Sequence, residues 1–325
     1  MAIKDAKVFY CAVISIFLIF YGKHYAYADE KFETVWDQIM QEQSYLQQQR
    51  GRMALEYKSY EEARKEFQKA VQSNPRDYNA HRMLGVACYW LGDVEKAIEE
   101  YTKALTINPN DSDTHQVLGI AYAWKMDING AMAEFQEALR LNPARADAAM
   151  NLGSAYQAKG ELAKSLSYFR QSIRLDPKNP IAYFQMGLTY KLIGDYSRAK
   201  AAFKSAIKLF PGYEDAFLEL GGICDAEGDY KEALDFYFIA TKLKQGDAVA
   251  HLKAGVSYLE LGNKEKALSS FEKALRLTPA GDQMRLALDI AFSGDKNGGA
   301  DNISVVLVEY QQLPHKKKLR LTRKH

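Results

Sequence analysis

The sequence predicts an all-α fold, one helical hairpin stacked seven times into an α-solenoid, and two observations carry that prediction. Glycine recurs as Gly51, Gly85, Gly119, Gly153, Gly187, Gly221 and Gly255, every 34 residues with no insertion or deletion. Twelve residues after each stands a small residue (Ala63, Ala97, Ala131, Ser165, Ala199, Ala233, Ala267). An aromatic follows four later (Phe67, Tyr101, Phe135, Phe169, Phe203, Tyr237, Phe271), and a second small residue three beyond that (Ala70, Ala104, Ala138, Ser172, Ala206, Ala240, Ala274). A fixed period of this length is the mark of a stacked repeat, whose units bury their apolar faces only against their neighbours. Composition agrees. With 47% hydrophobic and 26% charged residues in 325, the chain is a folded one, neither disordered, collagen-like, disulfide-dense nor a multi-span membrane protein.

The elements follow in chain order. Lys4 and Lys7 precede an apolar run from Val8 to Tyr21, interrupted by Ser15 and ended by Gly22, and Ala26-Tyr27-Ala28 comes next. A basic start, an apolar core and an A-x-A site make up a secretory signal peptide, assigned to residues 1–28 with cleavage after Ala28. The mature chain then begins at Asp29 in the periplasm or another extracytoplasmic space. The alternative is a membrane anchor at residues 8–22, although the run is short of the about 20 residues that span a bilayer. Cys11 lies inside the apolar core behind Phe9-Tyr10, which is not a lipoprotein site. Cys88 and Cys224 stand four units apart and read as buried small hydrophobes.

Residues 29–43 are expected to form an N-terminal capping helix, because Phe32, Val35, Trp36, Ile39 and Met40 share one helical face. The seven units then run 44–77, 78–111, 112–145, 146–179, 180–213, 214–247 and 248–281. A glycine inside a helix costs about 1 kcal/mol against alanine, so seven at one phase need a reason. The reason is close approach of two helices, with alanines as the matching small surface and the aromatic filling the space between units. Gly92-Asp93, Gly194-Asp195, Gly228-Asp229 and Gly262-Asn263 make the turn inside the hairpin. Proline at 75, 109, 143, 177, 211 and 279 closes each unit except the sixth, where Gln245 predicts a looser junction at 245–248. Met284, Leu288, Ala291 and Phe292 predict a C-terminal capping helix at 282–293. A Gly-rich linker and short strand fill 294–314, and a basic tail fills 315–325.

These residues resemble the tetratricopeptide repeat family at nearly every signature position, with Ser165, Ser172 and Gln245 as the departures. The resemblance implies a right-handed superhelix in which the first helix of each unit lines a concave groove. It places Arg82, Met83, Val86, Tyr89 and Trp90 of the second unit in that groove, with Gln116, Val117, Ile120 and Trp124 of the third. Asn151, Ser154 and Gln157 make the fourth unit polar, and Phe184, Leu188, Leu192, Leu252, Val256 and Leu259 follow in units five and seven. An aromatic and aliphatic floor with a few polar groups suits a peptide or an amphipathic helix. Relatives that grip a C-terminal carboxylate use a lysine and two asparagines; here the candidate sets are Gln48, Arg52 and Met83, or Arg82, Val86 and Val117, so that clamp is absent.

Catalytic chemistry has little to stand on. No nucleophile elbow, phosphate loop, metal motif or triad spacing appears, and the sequence implies no cofactor, no metal and no small-molecule substrate. His81, His115 and His251 share one position in their units; with no cysteine or carboxylate at ligand spacing and helices about 8–10 Å apart, they read as packing residues. Gly299 to Val308 resembles the closing Asp-Asn-strand motif of type 2C metal-dependent phosphatases, where Asp301 would be a metal ligand. The earlier aspartate motifs such a two-metal site needs are missing.

Charge is segregated: +2 over residues 1–28, −6 over 29–314 and +6 over 315–325. Lys316, Lys317, Lys318, Arg320, Arg323 and Lys324 of the tail would be drawn to an anionic membrane or envelope polymer, or back onto the acidic body. With an exported chain, nucleic acid is not an expected partner. The leading expectation is a non-enzymatic scaffold for envelope or secretion assembly. The alternatives are an enzyme-associated subunit or phosphatase-like remnant using residues 295–310, and a structural spacer.

Overall fold

A computed structural model describes residues 26–278, with side chains from residue 34 onward. The apolar run at 8–22, the C-terminal cap, the linker and strand, Asp301 and the basic tail lie outside the described residues. Within them there are fourteen α-helices and no strand. In order they are α1 (Ala26–Glu56), α2 (Tyr60–Ser73), α3 (Tyr78–Trp90), α4 (Val94–Ile107), α5 (Ser112–Trp124), α6 (Ile128–Leu141) and α7 (Ala146–Ala158). There follow α8 (Leu162–Leu175), α9 (Pro180–Ile193), α10 (Tyr196–Leu209), α11 (Glu214–Glu227), α12 (Tyr230–Leu243), α13 (Ala248–Glu260) and α14 (Lys264–Leu277). The chain divides into two compact units between Ala148 and Ala149, inside α7. In the first, α1–α2, α3–α4 and α5–α6 are hairpins, with α2 packed on α3 and α4 on α5. In the second, α8 packs on α9, and the hairpins α9–α10, α11–α12 and α13–α14 stack in turn.

The glycine period has a steric cause. A Cβ on Gly119 would lie 2.6 Å from the Phe135 ring, and one on Gly221 would lie 2.5 Å from the Tyr237 ring. The other five glycines meet Phe67, Tyr101, Phe169, Phe203 and Phe271 in the same way, and all seven rings are buried. The alanines beside them, from Ala63 and Ala70 to Ala267 and Ala274, are fully buried. Ser165 and Ser172 replace two of them at full burial; Ser165 Oγ sits 3.4 Å from Thr189 Oγ1, and Ser172 Oγ has no hydrogen-bond partner.

Helix ends are set by side-chain caps. Asp77, Asp93, Asp111 and Asp127 each accept a backbone N–H three residues on, and Asp195, Asp229 and Asn263 do the same in the second unit. Such a cap contributes about 1 kcal/mol. The hairpin turn needs a left-handed residue, and Gly92, Gly194, Gly228 and Gly262 supply it, as does Gly160. Lys58 and Met126 take the same conformation at φ 58° and 63° without being glycine. Packing of the helices on either side imposes the turn there, at a cost of about 1–2 kcal/mol.

Two junctions differ from expectation. Residues 29–43 are not a separate cap but the first half of α1, which runs 31 residues against 13 or 14 for every other helix. No proline or turn sequence separates the cap from the first unit, so one helix continues through both; it also passes through Ala28. No described helix is long and apolar enough to cross a membrane. At the sixth unit, Lys244 closes α12 at φ −134°, ψ 94°, close to the −130°, 89° of Asn108, although Gln245 replaces proline. The N–H of Lys244 bonding to Ala240 and the Asp247 cap on α13 hold the junction as tightly as the others.

Adjacent glycines in α11 give a test with opposite signs. Gly221→Ala drives a methyl into the Tyr237 ring and should cost about 1–3 kcal/mol. Gly222→Ala meets only Lys253 Nζ and Tyr237 Oη at 3.9 Å, so helix propensity should raise stability by up to about 1 kcal/mol. Urea unfolding midpoints measure both, and shifts of the same sign would contradict the steric account.

Candidate interaction groove

In the first unit, α3 and α5 carry most of the expected groove. Leu84, Ala87 and Cys88 of α3 and Leu118 and Ala121 of α5 are buried in one core with Phe67 and Tyr101. Met83, Val86, Tyr89 and Val117 lie half-buried against that core, and Ile120 is half-buried as well. These residues therefore hold the helices together with one edge and present the other. Trp90 and Trp124, at the ends of α3 and α5, are 58% and 63% exposed. Trp90 stacks on Tyr60 of α2 with ring centroids 5.6 Å apart and meets Tyr89 edge-on at 5.9 Å. Of the three aromatic residues expected in the groove of these repeats, Tyr89 and Trp90 thus cluster with Tyr60, while Trp124 has no ring partner among the described residues. Tyr60 opens the second helix of the preceding unit, a place that reading one helix face at a time does not reach.

Two expected groove residues are inside the protein instead. Gln116 is 3% exposed, and Phe184 is 9% exposed, its ring 4.8 Å from that of Tyr213 and 5.5 Å from that of Phe203. A bulky ring gains more by filling the gap beside the next hairpin than by facing water. Leu188 is half-buried on the same core, and Asn151 is half-buried at the start of the second unit. Gln157 donates to Thr189 Oγ1 at 3.1 Å. Leu192, by contrast, is 64% exposed.

Arg82 is committed within the protein. Its guanidinium donates to Asp113 at 2.7 Å and to Asn79 at 2.7 Å, and Arg145 donates to the other Asp113 oxygen and to Asp147. Burial opposes ionisation of Asp113, and the hydrogen bonds from Arg145 and Arg82 more than offset it, holding the carboxyl below its usual range. This row of alternating charge ties the second, third and fourth repeats along one edge.

The histidines have partners that sequence spacing hid. His81 Nδ1 lies 2.6 Å from the Glu100 carboxylate and Nε2 lies 3.1 Å from the Pro75 carbonyl. His115 repeats both contacts with Glu134 and Pro109 at the same distances. The carboxylate comes nineteen residues later, on the second helix of the same hairpin, so a search for local ligand spacing misses it. The recurring His and Glu at one offset in two consecutive units are the signal that could have found it. Burial opposes the Glu100 charge, and hydrogen bonds from His81 and Lys103 bring the carboxyl below the usual range. No group of three potential metal ligands occurs among the described residues. Cys88 and Cys224 are free and buried, and burial pushes their thiols up to about 11 and about 12.

Charge divides with the units: −6 over residues 26–148 and +3 over 149–278. Within the second unit, burial and the neighbouring Asp247 push the Glu214 carboxyl up to about 7, while Asp247 is held low despite its own burial by the hydrogen bond from Glu214. The folded chain thus keeps a proton on Glu214, from the ordinary 4.5 up to about 7, that the unfolded chain releases. Stability from this group should fall as pH rises through that window. Glu214→Gln should flatten the fall in urea midpoint between pH 5 and pH 7.5; an unchanged fall would contradict the shared proton.

Four stretches, residues 49–112, 144–212, 194–256 and 248–280, match sequence families described as Tetratricopeptide repeat, and together they cover well over half the chain. No curated protein matches it by sequence. Among solved structures, a tetratricopeptide repeat protein from Parabacteroides merdae is 17% identical, covering 77% of this chain and 98% of its own, with a TM-score of 0.61. PilF of Pseudomonas aeruginosa is 21% identical, covering 65% and 96%, with a TM-score of 0.58. A MamA structure is 26% identical over 50% of this chain and 95% of its own, with a TM-score of 0.47. The first two likenesses show the fold.

Proposed function

We propose, from the premise that the chain belongs to the tetratricopeptide repeat family, that it is a non-enzymatic scaffold whose first unit binds a peptide or amphipathic helix of another protein. The observation that carries this reading is the exposure of Trp90 and Trp124 at the same place in consecutive repeats. Neither ring is needed to close the core, and tryptophan is the side chain most enriched among residues that dominate protein interfaces. Around them the half-buried Met83, Val86, Tyr89, Val117 and Ile120 offer apolar edges on rigid helices. The row of Arg82, Asp113, Arg145 and Asp147 offers polar groups already held in place, which lowers the ordering cost of binding.

The partner in this reading belongs to an envelope or secretion assembly, and the protein acts outside the cytoplasm. Lys4, Lys7, the apolar run from Val8 and the Ala26-Tyr27-Ala28 site support the location. The six charges from Lys316 to Lys324 support attachment to an anionic membrane or envelope polymer, at about 1 kcal/mol per charge close to an anionic bilayer.

Cross-linking in intact cells, followed by mass spectrometry, should recover a specific envelope partner, and Trp90→Ala with Trp124→Ala should abolish its capture. Capture retained at the wild-type level in the double variant would sink the assignment to these rings. The same peptides show whether the chain begins at Asp29. Partner binding should also shift tryptophan emission to the blue, and removal of residues 315–325 should weaken sedimentation with anionic vesicles.

A further inference from the structure

The outer face of α1 carries a stripe that the other described residues leave uncovered. Val35, Ile39, Leu46, Met53 and Tyr57, which follows the helix end, are 51%, 42%, 57%, 57% and 75% exposed. At 3.6 residues per turn the five positions fall within about 40° of arc, along about 33 Å of axis. Ser44, Gln48, Gly51 and Ala54 are buried on the opposite face, where the helix meets its own hairpin. Val35 and Ile39, expected to cap the first unit, cannot fold back on it because they continue the same helix. Among the described helices α1 packs on α2 and, lightly, on α3, which leaves this side of a stacked helix bare.

The order of the stripe says what fits. Its intervals are four, seven, seven and four residues, a palindrome centred on Leu46. Spacings of four and seven are those of a helix seated along another helix. A palindrome is self-complementary about a two-fold axis, the symmetry of most dimers. Charge points the same way. Glu42 and Arg50 lie four residues on either side of Leu46, both exposed and neither in an ion pair among the described residues. In an antiparallel pair centred on Leu46, Glu42 of each copy stands level with Arg50 of the other. In a parallel pair like would meet like.

We propose that the occupant of this face is a second copy of the chain, and that two α1 helices pair antiparallel about a two-fold axis at Leu46. Val35 of one copy then lies level with Tyr57 of the other, and Ile39 with Met53. The pairing joins two scaffolds by their first repeats and leaves Trp90 and Trp124 to other partners.

Cysteine cross-linking of the purified full chain, in a Cys11→Ser background with no added cysteine as control, reads the register directly. Leu46→Cys should form a disulfide-linked dimer with itself. Ile39→Cys alone should not, because its two copies would be about 21 Å apart along the axis, but it should cross-link to Met53→Cys on mixing. In sedimentation equilibrium, Glu42→Arg and Arg50→Glu should each raise the dimer dissociation constant about tenfold, and the double variant should restore it. Circular dichroism should be unchanged on substitution of Ile39, Glu42, Leu46, Arg50 or Met53, since all five are exposed. A monomer at tens of micromolar overturns the proposal. So does efficient self-cross-linking of Ile39→Cys, failure of the double variant to restore pairing, or a monomer that binds lipid vesicles through the Leu46 face.

Discussion

The contact between a helical glycine and an aromatic ring sixteen residues later sets the spacing of everything else in this protein. The glycine gives up a side chain, the ring takes its volume, and two helices come close enough for alanines to complete the surface. Because the ring is fully buried, its loss or displacement opens the unit. Because the fit is local, it repeats without insertions, and any residue added to one helix would move the ring off its glycine. The 34-residue period is therefore a packing requirement. It leaves the rest of each hairpin free to vary.

What varies is where the proposed binding surface lies. Once the glycine, the ring and the alanines are placed, the ends and outer edges of the first helices carry no structural duty. Trp90 and Trp124 occupy such places, as does Leu192. Other positions on the same helices are drawn inward by neighbouring hairpins, as Gln116 and Phe184 are. A groove of this kind is thus a residue left by packing, and its composition differs from unit to unit. Polar pairs add stiffness. His81 with Glu100 and His115 with Glu134 bind the two helices of one hairpin, while Arg82, Asp113, Arg145 and Asp147 bind one hairpin to the next.

The acidic excess of the described residues belongs to 26–148, and residues 149–278 are mildly basic. The N-terminal unit also carries the exposed tryptophans and the long α1. The partner recognition and self-association proposed above would both draw on the first three repeats, whereas the later repeats are distinguished mainly by the carboxyl pair of Glu214 and Asp247.

The seven-hairpin architecture was determined by sequence alone, since a constant offset between glycine and ring can be met in only one way. The same holds for the buried Cys88 and Cys224 and for most helix boundaries, where aspartate caps and Gly-Asp turns mark the chain. Tertiary structure decided what depends on residues distant in sequence. It merged the expected cap with the first helix, because nothing breaks the chain before Glu56. It turned Phe184 inward against Tyr213, paired the histidines with glutamates on the facing helix, and set Tyr60 rather than Trp124 beside Trp90. It also kept the junction at Gln245 tight, because a backbone hydrogen bond and a cap suffice without proline. Period and composition record which surfaces must be small or large, but only the assembled helices record which neighbour reaches them first.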